Sequence, residues 1–106
     1  MSKAERRTDE IDETRMQVFE REGWRCFYVG GDGNRCPKRA TQAAHILPQD
    51  VLHIARYGST IIHHPLNMRG SCPTHNAKAQ INYRAEPVKA DEHAAMIRAA
   101  MEEGND

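Results

Sequence analysis

Four side chains in this sequence have the types and spacing to share one metal ion: Cys26, Cys36, Cys72 and His75. Zinc takes four thiolate or imidazole ligands in a tetrahedron, and three cysteines with one histidine make a common structural set. Cys72-Pro73-Thr74-His75 has the two-residue gap of a metal knuckle, with Pro73 fixing the backbone where a helix can begin. Nine residues separate Cys26 from Cys36. That gap holds Gly30-Gly31-Asp32-Gly33-Asn34, a turn signal strong enough to bring both sulfurs back to one ion. The bland alternative is three unrelated thiols. An odd cysteine count leaves at least one thiol outside any intramolecular disulfide, which favours a reduced, cytoplasmic protein that spends cysteine on metal.

A second chemistry resides in two further segments, Gln42-Ala43-Ala44-His45-Ile46-Leu47-Pro48 and the run from His63-His64-Pro65-Leu66-Asn67 to His75-Asn76-Ala77-Lys78. With the cysteines before and between them, these segments resemble the HNH endonuclease family in its zinc-containing branch. The core of that family is the ββα-metal (His-Me) finger. The motifs cover residues 24–82, and their order over some fifty residues carries the resemblance.

The resemblance implies roles by position. His45 matches the general base that takes a proton from the attacking water, a task suited to a neutral imidazole near pH 7. Asn67 matches the central asparagine that pins the loop and orients the base. A divalent cation, Mg²⁺ or Mn²⁺, would stabilise the leaving oxygen. The third motif position falls on Asn76 if His75 replaces the last cysteine of the zinc knuckle. The rival alignment gives His75 to the catalytic cation and leaves zinc with three cysteines; the first is favoured. Two departures from the family stand out. Ala44 occupies the position before the base, where the family carries a cation-binding Asp or His, and Asn76 is an amide. Both foretell a weak cation site and low activity. His63 and His64 read first as turn residues before Pro65, with a direct catalytic role from the loop as the alternative, and His53 and His93 as surface or packing residues.

Charge supports a phosphate-bearing partner. The formal net charge is zero, yet residues 23–84 carry +6 against −2 for residues 1–22 and −4 for residues 85–106. Five of the six histidines and all three cysteines also lie in that basic middle. Arg35, Lys38, Arg39, Arg56, Arg69 and Lys78 are the candidate phosphate contacts, and DNA is the expected partner. Trp24 and Phe27 read as core rather than as stacking platforms. No apolar run approaches the roughly 20 residues that span a bilayer. The charged start, Met1 to Asp12, does not read as a secretory signal.

The elements that must position these residues follow from periodicity. A chain of 106 residues with 39% apolar and 6% aromatic content allows one domain with a thin core, which a metal would staple. The expected organisation is a single α+β domain over 9–103, with 1–8 and 104–106 flexible. Helices at 9–22 and 87–103 flank the zinc finger core. Ile11, Val18 and Phe19 form the inward stripe of the first helix, and Gly23 stops it. Strands are expected over Trp24–Val29 and Thr41–Leu47. A short helix is expected over Asp50–Tyr57, loop and strand over Ile61–Gly70, and a helix from Pro73 to about Tyr83. Ala90, Ala94, Ile97 and Met101 line one face of the last helix, a stripe that suggests a possible homodimer. The expected function is metal-dependent DNA endonuclease activity of low sequence specificity. The alternative is a non-catalytic zinc module, derived from such a nuclease, that binds nucleic acid or protein.

Overall fold

The computed structural model describes residues 13–104. The expected flexible start, Ile11 and the first turn of the opening helix lie outside the described residues. Helix α1 (13–21) buries Val18 and Phe19 and ends in a Schellman turn. Gly23 and Trp24 both have positive φ, the Gly23 N–H donates to Glu20 O, and the Trp24 N–H donates to Phe19 O. The Phe19 and Trp24 rings, 5.4 Å apart, supply the apolar contact that such a turn usually carries.

The stretch expected as a first strand is irregular. Trp24–Val29 makes only two isolated bridges, Arg25 to Arg39 and Val29 to Arg35. Guanidinium groups take carbonyls that a ladder would use. Arg35 donates to the carbonyls of Cys26, Glu22 and Arg25, and Arg25 donates to those of Cys36 and Arg35. The chain instead folds about the Gly30–Asn34 turn, which sets Cys26 and Cys36 side by side.

The regular sheet has two antiparallel strands, β1 (Gln42–His45) and β2 (Met68–Ser71), with His45 opposite Met68 and Gln42 opposite Ser71. β1 ends two residues short of the expected Leu47 because a side chain, Asn67, takes both backbone groups of Leu47. Gly70 sits where β2 passes beneath α1. A Cβ there would lie 3.1 Å from the Ala40 Cβ and 3.2 Å from Glu22 Cγ.

Between the strands run α2 (Val51–Tyr57), α3 (Ser59–Ile62) and a 3-10 turn (Pro65–Asn67). Asp50 caps α2 through its carboxylate, and Gly58 closes it at φ 88°. The short α3 takes Ile61 and Ile62 from the start of the segment expected as loop and strand, whose strand is β2. After β2, a 3-10 helix covers only Pro73–Ala79. It stops before the expected Tyr83 because the Ile81 N–H donates to Ile46 O and the Tyr83 N–H to His53 Nε2. Helix α4 runs from Pro87 to Gly104.

The fold is therefore α+β, with two buried centres. One is apolar: Leu47, Tyr57, Ile61 and Ile62 close over Ala90, Ala94 and Ile97 of α4. That contact buries Ala90, Ala94 and Ile97 of the α4 stripe within its own chain, with Met101 partly buried beside them. The other centre is the three cysteines, with Phe27 and Tyr28 packed against them. Among the described residues, no helix is long and apolar enough to cross a membrane.

Candidate metal centre and active site

Cys26, Cys36, Cys72 and His75 converge. Their ligand atoms all lie within 4.8 Å of one another, and the three thiols are free and buried. His75 Nδ1 is 3.4 Å from Cys72 Sγ and 3.6 Å from Cys26 Sγ. A tetrahedral zinc with its usual bond lengths to sulfur and nitrogen sets such a separation at roughly 3.6 Å. The four residues are thus close enough to hold a metal ion, and their donors suit structural zinc. The Tyr28 ring stacks on His75 at 4.1 Å and 23°, which fixes the imidazole plane. Burial pushes the Cys26 thiol up. For Cys72, burial also acts upward, but the backbone N–H groups of His75 and Thr74 and the other thiols outweigh it, so the thiol sits below its ordinary value. Donors aimed at Cys72 are what a thiolate ligand needs.

A cleft of about 890 Å³ opens beside β1, lined by Thr14 and Arg15 of α1 and by His45, His63, Gln42 and Asn76, among others. His45 is partly buried, and its Nε2 is sealed from solvent with no hydrogen-bond partner among the described residues. Burial, and next the charge of His63, hold its pKa below the ordinary imidazole value. The His45 and His63 rings meet at 87° with centroids 5.7 Å apart. Asn76 lines the same cleft, and its amide donates to Gln42 Oε1 at 2.8 Å. His75 faces the sulfurs, and Asn76 lines the cleft.

Asn67 lies behind the cleft and is fully buried. Its Oδ1 accepts from the Leu47 N–H at 2.8 Å, while its Nδ2 donates to the carbonyls of Leu47 at 3.0 Å and Ile62 at 2.8 Å. Ala44 is also fully buried and does not line the cleft, so the position before His45 faces the interior.

The other expected residues disperse. His64 Nδ1 accepts from the Leu66 N–H, a turn role. His53 is not a surface residue: it is fully buried, with Nδ1 on Asp50 and Nε2 accepting from the Tyr83 N–H. His93 is half-buried, and its Nε2 has no partner. The expected phosphate contacts do not gather at the cleft. Arg56 pairs with Asp91 and stacks on Tyr83, Arg69 grips the buried Glu22, and Arg35 is spent on backbone carbonyls. Lys38, Arg39 and Lys78 are exposed.

Two cleft residues were not among the expected site residues, Arg15 and His63, the latter read first as a turn residue. The first shares a helical face with Val18 and Glu22. The second stands beside a histidine that is purely a turn residue. No protein-family model, curated protein or solved structure matches this chain, so the functional assignment rests on its own residues.

Proposed function

We propose that this chain is an endonuclease that hydrolyses DNA phosphodiesters, with His45 as general base. β1, β2 and the 3-10 helix Pro73–Ala79 would correspond to a zinc-stapled ββα-metal finger. The observation that carries the proposal is the state of His45. Its ring lines the cleft, and burial holds its pKa below the ordinary imidazole value, so the ring is neutral and ready to accept a proton near pH 7. Asn67 supports it by fixing the backbone two residues beyond the base. Arg15 supplies positive charge at the cleft wall for a phosphate. Three unpaired thiols suit a reducing, cytoplasmic setting.

The divalent cation implied by the family fits this cleft poorly. Mg²⁺ and Mn²⁺ prefer carboxylate and other oxygen ligands. Among the described residues, the cleft lining holds no Asp or Glu, and its nitrogen ligands are two imidazoles. Ala44 is turned inward, and the Asn76 amide is engaged by Gln42. The proposed reaction is therefore derived without a step through a protein-held cation.

A second function draws on the same lining: a zinc module that binds nucleic acid without cutting it. One experiment separates the two. Zinc-loaded protein is incubated with supercoiled plasmid, with Mg²⁺, with Mn²⁺, and without either. The nuclease yields nicked circles, and His45→Ala yields none. Retarded plasmid that stays supercoiled under every condition supports the binding module. Nicking that survives His45→Ala overturns His45 as the base.

A further inference from the structure

Given the proposed nuclease function, the cleft needs a group to receive the charge of the leaving oxygen, and no described carboxylate is there to bring a hard cation to it. We infer that His63 is the proton donor to the leaving oxygen, acting opposite His45, so that the cleft cuts phosphodiesters with a two-histidine acid–base pair.

The geometry comes from one buried amide. His63 caps the end of α3, where its N–H donates to Ser59 O at 2.9 Å. The carbonyl just before it, that of Ile62, is held by Asn67 Nδ2. The same Asn67 side chain holds both backbone groups of Leu47, two residues after His45. Both histidine-bearing segments therefore hang from Asn67, and their spacing is set by a fully buried side chain. The two rings lie in perpendicular planes 5.7 Å apart and line one cleft. Phosphoryl displacement places attacking and leaving oxygens on opposite sides of phosphorus, so base and acid must act from two directions.

In the step, the His45 imidazole, which lines the cleft, takes a proton from water as the water oxygen bonds to phosphorus. The phosphorus–oxygen ester bond breaks, and the departing oxygen takes the proton of a protonated His63. The products are a phosphomonoester and an alcohol. One water is consumed, and solvent returns the proton from His45 to His63. Among the described residues, the titratable or charged groups lining the cleft are Arg15, His45 and His63. Burial, and next the charge of His63, disfavour the protonated form of His45, which suits it to the role of base.

The test uses two phosphodiesters whose leaving groups differ. An alkoxide leaving from a DNA oligonucleotide needs a proton. A p-nitrophenolate leaving from a nucleotide p-nitrophenyl ester does not. Full-length, zinc-loaded parent, His63→Ala, His63→Gln and His45→Ala are compared at matched zinc content and melting temperature. With either His63 variant, DNA cleavage should fall by about 100-fold or more while ester hydrolysis stays within a few-fold of the parent. The alkaline limb of the DNA pH–rate profile should vanish as well. His45→Ala should slow both substrates. If the His63 variants slow both substrates alike, or slow neither, His63 is not the acid, and the nuclease function stands on His45 alone. If the parent cleaves neither substrate, the nuclease function fails and takes the acid–base pair with it.

Discussion

Asn67 holds Leu47 by both of its backbone polar groups, accepting from the N–H at 2.8 Å and donating to the carbonyl at 3.0 Å. A peptide bonded in this way has no group left for a strand partner. The clasp therefore ends β1 just after His45. The remaining Asn67 proton goes to Ile62 O, which ties the end of α3 to the same point. A side chain that is 0% exposed has no water to replace these partners.

Asn67→Ala should therefore leave one N–H and two carbonyls buried without partners. Each such orphan costs about 1–3 kcal/mol, so a loss of about 3 kcal/mol or more is expected in urea unfolding. Asn67→Asp keeps the acceptor but turns a carboxylate toward two carbonyl oxygens, and it should be no better than alanine. A loss below about 1 kcal/mol for both variants would show that the clasp is dispensable.

Metal should be part of the fold. The described elements are short, the longest apart from α4 having nine residues, and the cysteine centre has only Phe27 and Tyr28 packed on it. Elemental analysis should find one zinc per chain, and Cys72→Ser should lose both zinc and cooperative melting. Cobalt in place of zinc should give the visible absorption of a tetrahedral thiolate site. Tyr28→Ala removes the ring stacked on His75 and should weaken zinc retention against a chelator while leaving the site intact. Unchanged melting after complete zinc removal would exclude a structural metal.

The ligands were legible because their chemistry is rare in the sequence: three cysteines and a histidine at a knuckle spacing leave few other roles. The end of α1 at Gly23 was legible too, since it rests on a local backbone rule. What the sequence concealed was decided by contacts distant along the chain. The Trp24–Val29 strand dissolves because Arg35 takes its carbonyls. The Pro73 helix ends early because Ile46 and His53 draw Ile81 and Tyr83 away. The His45 cleft includes Arg15 and His63, from segments 30 residues before and 18 residues after the base, and no periodicity links such positions.

The α4 stripe is settled by its neighbours. Ala90, Ala94 and Ile97 are each 0% exposed against Leu47, Tyr57, Ile61 and Ile62. Ile97→Ala should cost about 2–5 kcal/mol, and Ala94→Leu should overpack the site by about 1–3 kcal/mol. Light scattering over a dilution series should give the mass of one chain throughout, and under the proposed function the protein should nick single strands rather than break duplexes. A mass that doubles with concentration, and does so less in Ala94→Leu, would return the stripe to an intermolecular role.

Acid should weaken the protein before carboxylates titrate. Burial lowers the pKa of His45, His64 and His93 below their ordinary value of 6.5. The unfolded chain regains that ordinary value, so on acidification it binds these protons before the folded chain does. Stability is therefore full above about pH 6.5 and falls as pH drops below it, since the slope follows the excess of protons bound by the unfolded state. A metal needs its ligands deprotonated, so acid acts in the same direction on the metal centre. At lower pH a second loss follows. The Asp91 carboxyl is held below its usual range first by Arg56 and then by Tyr57, and the Asp50 carboxyl by the His53 backbone and ring N–H groups. Both contributions vanish only as those depressed values are crossed. Melting temperature should thus fall in two stages from pH 7 to pH 3, with zinc content followed in parallel. His93→Gln should flatten part of the first stage and leave the second untouched. A melting temperature constant from pH 7 to pH 5 would contradict the burial of these imidazoles.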